Sequence, residues 1–341
     1  MPTIRTKLLL VILVACIGRM AGAIEIAKDG GSKVTIVVVK GSSYPDRHAA
    51  QELKTFLKEV TGVDLPMDEE GQAGSPRILV GEKSAKLAAP NFSTEGLGRE
   101  GIVIRTAGED LILAGGEPRG TLYAVYTFLE DHVGCRWWAP GASAIPRKPT
   151  LQYDKIEVRY VPALEYREPY WESAFNRDWD VRNKVNGNAM PLTGEVGGKQ
   201  VIAGFVHTFY PLIPAEKYFK DHPDWFSEIN GQRKTDGAQL CLSNEEMRKE
   251  LVKNLKLVLS KNRLATQASV SQNDCGGNCQ CPKCKAIDAE EGGPSGSILR
   301  FVNAVAADIE KEFPKVAIST LAYQYSQAPP KITRPRDNVV I

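Results

Sequence analysis

The stretch Gln267–Asp274, "QASVSQND", decides the fold through the segments that lie C-terminal to it. After a cysteine-rich connection comes "GSILRFVNAVAADIEKEFP" (296–314), where Ile298, Phe301, Val302, Val305 and Ile309 recur with helical spacing, and then a second β-prone run, "VAISTLAYQYS" (316–326). Two strands separated by a whole helix cannot form a tight hairpin; the order predicts neighbouring parallel strands joined by a crossover. Working outward, "IAGFVHTF" (202–209) reads as the preceding strand, and "NEEMRKELVKNLKLVLS" (244–260) as a helix that Ser243 or Asn244 can cap. "ALEYREPYW" (163–171) is a further strand candidate upstream, and "NVVI" (338–341) one downstream. The region 160–341 is therefore expected to be α/β, either an open parallel sheet or part of a (β/α)8 barrel. It offers about 180 residues where a full barrel usually takes about 250, so an incomplete barrel is expected. The apolar end without a covering helix suggests a fragment.

The region 24–153 has a different rhythm. "KVTIVVVK" (33–40) reads as a strand, and "DRHAAQELKTFLKEVTG" (46–62) as a helix with Leu53, Phe56, Leu57 and Val60 on one face. "GIVIRTAGEDLILAGG" (101–116) reads as a hairpin turning at Gly108, followed by a helix with Leu122, Val125, Leu129 and Val133 on one stripe. A small α/β sandwich domain is expected, ending in the turn-rich "AIPRKPTLQ" (144–152).

At the start of the chain, Arg5 and Lys7 precede the apolar run "LLLVILVACIG", and Ala21-Gly22-Ala23 comes after it, the order of a secretory signal over residues 1–23. "LVAC" (13–16) also resembles a bacterial lipobox, which would place a lipid anchor on Cys16. Either reading exports the protein to the periplasm, the cell surface or the medium. The whole chain carries a net charge of +2; the leader holds Arg5, Lys7 and Arg19 and no acid, so its removal leaves −1. That balance argues against nucleic acid as a partner.

The segments "AAQELKTFLKEVTG" (49–62), "ILVG" (78–81) and "RGTLYAVYTFLEDHVGCRWWAPG" (119–141) resemble the accessory N-terminal domain of glycoside hydrolase families 20 and 67, the hexosaminidases and α-glucuronidases. The second half, with "HTFYPLIPAEKYFKDHPDWFSEINGQR" (207–233), "SQNDCGGNCQCPKC" (271–284) and "LAYQYSQAPP" (321–330), is similar to a domain of formerly unknown function in exported bacterial proteins, linked to glycoside hydrolase family 163. Members of that family are described as endo-β-N-acetylglucosaminidases acting on complex N-glycans. The resemblance implies a glycosidase barrel behind an accessory domain, with an oligosaccharide or glycan as substrate and no cofactor for the chemistry. It also carries over Arg167, as the arginine with which hexosaminidase-like barrels bind sugar hydroxyls near the end of the first strand.

Glycoside hydrolysis uses paired carboxyl groups, or one carboxyl with a substrate acetamide, and a barrel presents such groups at the C-terminal ends of its strands. Asp274 comes after "SVSQN" at such an end and is the catalytic candidate, its alternative being a turn-capping aspartate. Asn273 suits sugar hydroxyls, Trp171 can offer an aromatic platform, and His207 and Tyr323 stand at the ends of their own runs. Glu290 and Glu291 read as a solvated loop or as a carboxylate brought back over the pocket. Cys275, Cys279, Cys281 and Cys284 lie within ten residues. They fit a structural zinc site or, in an oxidising compartment, disulfides, and Cys241 can join the set. In either case they would stiffen the loop beyond Asp274.

Overall fold

The computed structural model describes residues 23–341. The leader and Cys16 lie outside the described residues. No described helix is long and apolar enough to cross a membrane. The chain divides into two compact units, one up to Lys199 and one from Gln200 to Ile341.

The first unit is built on a six-stranded mixed sheet. Its strands are β1 (Thr35–Val37), β2 (Met67–Asp68), β3 (Arg77–Val80), β4 (Ile102–Ala107), β5 (Asp110–Gly115) and β6 (Glu157–Tyr160), in the order β6-β4-β5-β3-β1-β2. β1, β2, β3 and β5 run parallel, while β4 pairs antiparallel with both β5 and β6. The two-residue periodicity of strands sorts the side chains. Ile36, Ile78, Leu111 and Leu113 join the core under helix α1 (Tyr44–Thr61), and Val37, Leu79, Ile112 and Ala114 form a second core on the other face. All four of the α1 residues read as its inner face are buried, as are Leu122, Val125, Leu129 and Val133 of helix α2 (Gly120–Thr127) and its wider continuation Phe128–Val133. α1 opens with a capping box between Ser43 and Asp46 and stops at Gly62, whose φ of 80° suits a residue without Cβ. The hairpin expected at Gly108 is present, with Ala107 opposite Asp110.

The segment 163–171 is not a strand. It packs irregularly within the first unit, and its backbone is held by an asparagine, Asn186, whose Oδ1 accepts from Arg167 N at 2.8 Å and whose Nδ2 donates to Glu165 O at 2.8 Å. The division between the units thus falls 47 residues (199 − 152) beyond the end of the turn-rich linker read from composition.

The second unit contains a parallel sheet of β7 (Val201–Ala203), β8 (Ala265–Ser269), β9 (Ala317–Ser319) and β10 (Val339–Val340), adjacent in chain order. Helix α4 (Glu245–Lys261), after the short α3 (Arg177–Arg182) of the first unit, crosses from β7 to β8; α5 (Pro282–Glu291) and α6 (Ser295–Glu310) cross from β8 to β9. Asn244 is the cap of α4, accepting from Met247 N at 3.0 Å. Every inward residue expected of α6 is buried against the sheet. The observed architecture is mixed α/β, with four described strands in the second sheet. The run 316–326 is strand only to Ser319, after which the chain turns, so Tyr323 lies beyond the strand, next to a short helical turn at Gln324–Ser326.

One buried group in the first unit has a pH signature. Asp180 of α3 is fully buried and no described side chain or backbone group donates to its oxygens, and burial pushes its carboxyl up to about 7 from the usual 3.8. The unfolded chain therefore releases this proton first as pH rises. Thermal stability should fall between about pH 4 and pH 7 and then level off, and Asp180→Asn should flatten that slope in calorimetric scans; an unchanged slope would show that Asp180 does not set it.

Candidate functional site

The sequence-predicted residues of the second unit come together beyond the C-terminal ends of the parallel strands, where α/β sheets place their ligand sites. Asp274 is exposed, and its Oδ1 accepts from Tyr323 Oη at 2.9 Å and from Gln324 Nε2 at 3.2 Å. The His207 ring lies 5.8 Å from that of Tyr323, centroid to centroid. Its Nδ1 is 2.8 Å from Gln272 O. A carbonyl only accepts, so Nδ1 carries a proton and donates to it, which leaves Nε2 as the ring atom facing away from this contact.

Backbone strain collects at the same place. Val206, His207 and Gln324 have φ of 60°, 55° and 50°. A β-branched residue in the left-handed region is rare, and such outliers persist only where surrounding bonds over-determine them. Here Thr208 does this: its Oγ1 donates to Ser269 O at 2.9 Å and accepts from Ser271 N at 3.0 Å, while the Thr208 and Phe209 amides both donate to Ser271 O at 3.0 Å. The loop after β7 is thereby stitched to the loop after β8.

The Asn273 side chain bonds within the protein. Its Oδ1 accepts from Tyr210 N at 3.3 Å and its Nδ2 donates to Ala238 O at 3.0 Å. The neighbouring amide reveals a residue the sequence reading missed. Gln239, almost fully buried, accepts from Asn273 N at 2.8 Å through Oε1. Its Nε2 lies within hydrogen-bond reach of the carbonyls of Asn273 (3.0 Å), Cys275 (2.7 Å) and Gly276 (3.1 Å). One side chain thus satisfies the backbone of the loop that carries Asp274. Gly277 completes the contact: with φ 71°, a Cβ there would stand 2.1 Å from Gly237 O.

Arg167 and Trp171 belong to the first unit. The strand end expected to present Arg167 is not formed, and the guanidinium is engaged with the buried Glu100 carboxylate and, at 2.7 Å, with Lys184 O. Glu100 also receives Arg119 and the Asn186 amide, so this is a closed ionic network within its own unit. Trp171 is 59% exposed, its ring 6.1 Å from that of Trp179. Trp225 and Phe226 of "HPDWF" are core residues of the second unit.

The thiol cluster differs from the expected set in one member. Cys241, Cys279, Cys281 and Cys284 are buried with their Sγ atoms within 4.8 Å of one another, a group that can hold a metal ion. Cys275 is outside it, its Sγ donating to Ala238 O at 3.5 Å. The correction has a simple cause: the "QLC" segment folds back onto the loop, so the fourth thiol comes from upstream. All six described cysteines are free. Burial raises the Cys275 thiol, and the charges of Asp274 and Asp236 raise it further. Asp236, exposed, is thus a second carboxylate in the neighbourhood, also missed in the sequence.

Glu291 is neither solvated nor poised over a pocket. It is fully buried at the end of α5, where its side chain accepts from Ile332 N and Thr333 N, both at 3.0 Å, and pairs with Arg300 at 2.6 Å. The Thr333 hydroxyl and amide, with these other donors, hold its carboxyl down to about 2. Glu290 pairs with Arg300 at 3.0 Å.

Comparison with known proteins supplies the family. Residues 27–128 match the profile of the glycosyl hydrolase family 67 N-terminus, so the first unit carries a family 67-type N-terminal domain. Residues 137–341, more than half of the sequence, match the family described as domain of unknown function DUF4838, and the chain belongs to that family. No curated protein matches. Among solved structures, a family GH115 4-O-methyl-α-glucuronidase with specificity for decorated arabinogalactans is 13% identical with a TM-score of 0.47, covering 90% of this chain and 43% of its own. The structure of CpGH84D is 8% identical with a TM-score of 0.43, covering 87% of this chain and 47% of its own. This chain spans less than half the length of either.

Two outcomes test the scaffold of the site. Gln239→Leu leaves several part-buried backbone groups without this partner; urea unfolding should show a loss of about 1–3 kcal/mol in all, with faster hydrogen exchange over 273–277, and wild-type protection there would refute the clamp. Glu291→Gln should lower the melting temperature at pH 7. Because the folded carboxyl titrates below its ordinary 4.5, its contribution is present above that value and lost as pH falls toward 2, so the gap between variant and wild type should close on acidification.

Proposed function

We propose that the protein acts on carbohydrate as a glycoside hydrolase, with Asp274, Tyr323 and His207 forming the saccharide site. The observation that carries this reading is the Asp274 carboxyl, exposed beyond the end of β8 with Tyr323 and Gln324 both donating to its Oδ1. The two donors fix the carboxyl through Oδ1 and leave Oδ2 free to face the departing glycosidic oxygen, the position a general acid occupies. The transition state would be oxocarbenium-like, with the second group supplied by Asp236 or by the acetamide of an N-acetylhexosamine. His207 Nε2 would hydrogen-bond a sugar hydroxyl. The family 67-type N-terminal domain supports the substrate class, a glycan or oligosaccharide. The parallel strands, adjacent in chain order, support a barrel-type sheet. Trp171 is offered as a sugar platform of the first unit, and the leader supports export.

The test is release of sugar from aryl N-acetylhexosaminides and complex N-glycans, run beside calorimetric binding of the same glycans. Asp274→Asn should cost at least about 100-fold in turnover and Tyr323→Phe about 10-fold, with Asp236→Asn separating a carboxylate partner from acetamide assistance. Glycan binding without turnover, weakened by the same substitutions, would assign a non-hydrolytic carbohydrate-binding role. Unchanged binding and turnover in Asp274→Asn would remove the site.

A further inference from the structure

We infer that Cys241, Cys279, Cys281 and Cys284 form a closed structural zinc site that braces the loop carrying Asp274. The spacing of the sulfur atoms is the first argument. Tetrahedral zinc with Zn–S near 2.3 Å requires sulfur–sulfur edges of about 3.8 Å, and Cys241 Sγ lies 3.7 Å from Cys281 Sγ and 4.0 Å from Cys284 Sγ. A disulfide needs about 2.05 Å, whereas all four of these cysteines are free. Softness of the ligands selects zinc-type ions over calcium or magnesium. Four protein ligands, all buried, leave no open position for substrate or water, which marks the site as structural and not catalytic.

The surroundings suit the charge. Four thiolates around a divalent ion leave two negative charges, which need donors nearby. Glu228 N donates to Cys279 Sγ at 3.3 Å, and the Arg233 guanidinium reaches the same sulfur at 3.8 Å. Cys281 is the N-cap of α5, so the positive end of that helix faces the cluster. Ser243 lies against three of the sulfurs, 3.2 Å from Cys284 Sγ, 3.6 Å from Cys241 Sγ and 3.7 Å from Cys281 Sγ.

The site also joins what the saccharide reading needs joined. Cys241 stands two residues after Gln239, and Cys279 five residues after Asp274. The ion would pin both ends of the Gln239–Asn273 contact, so the loop is fixed by metal on one side and by hydrogen bonds on the other. This inference stands apart from the proposed activity, because metal content is read without any glycan.

The full chain, purified without chelator, should contain about one zinc per molecule. Cobalt exchanged into it should give the absorption of tetrahedral cobalt tetrathiolate. Cys281→Ser and Cys241→Ser should lose most of the metal, while Cys275→Ser keeps it. Should the first two variants fail to fold, the cobalt spectrum of the wild-type chain decides. Chelation should speed hydrogen exchange over 238–244 and 273–284 and leave 35–80 unchanged. Iron in place of zinc, no stoichiometric metal, non-reduced peptides joined by disulfides among the four, metal loss in Cys275→Ser, or unaltered exchange on chelation would each overturn it.

Discussion

The candidate site depends on the pairing of Gln239 with the backbone of the loop that leaves β8. Beyond Val270 that chain has no sheet or helix partner until α5, and unpaired backbone groups near a buried wall are costly. A single primary amide can both accept and donate, and Gln239 does so toward Asn273, Cys275 and Gly276. Asn273 reciprocates by donating to Ala238 O. The two segments thus form a mutual clamp, and Asp274 sits at its outer edge with its orientation set by Tyr323 and Gln324. A carboxyl fixed on one oxygen and open on the other is useful chemistry only if its loop does not move.

The part of the structure legible in the sequence was the part that periodicity encodes. The inner faces of α1, α2 and α6 come from apolar residues at helical spacing, and the parallel strands from the helices between them, because both rules concern residues near one another in the chain. The clustering of Asp274, His207 and Tyr323 was likewise legible, since strand ends in a parallel sheet share one edge. Gln239 and Asp236 were not. Each acts on residues far along the chain, and neither type carries a spacing signature.

The errors have the same origin. "ALEYREPYW" has a composition suited to a strand, yet Arg167 answers a charge 67 positions away, the Glu100 carboxylate, and Asn186 takes the backbone bonds a sheet would have taken. Tertiary demand outweighed local preference. The thiols repeat the lesson. Four cysteines in ten residues suggest one self-contained knot, but Cys275 points back to Ala238 and Cys241 replaces it. Chain reversal at the Glu228–Ile229 and Gln232–Arg233 hairpin brings the upstream segment within reach, with Asn230 and Gly231 at φ of 52° and 77° making the turn.

Strain at Val206, His207 and Gln324 adds a further step. Valine in a left-handed conformation costs of order 1–3 kcal/mol. A glycine at 206 would relieve that cost and return it as loop entropy. The retained strain is consistent with a position where the His207 ring must face Tyr323 and bond to Gln272 at once. Thr208 supplies the compensating bonds on the β8 side, and Gln272, buried, bonds Tyr323 O and Ser326 Oγ on the β9 side. The three loops are therefore held by side chains beneath the exposed residues, which leaves His207, Asp274 and Tyr323 fixed in position before any ligand arrives. Preorganisation of this kind lowers the ordering cost of binding, and it explains why polar residues with no outward-facing group, Thr208, Gln239 and Gln272, lie directly under the site.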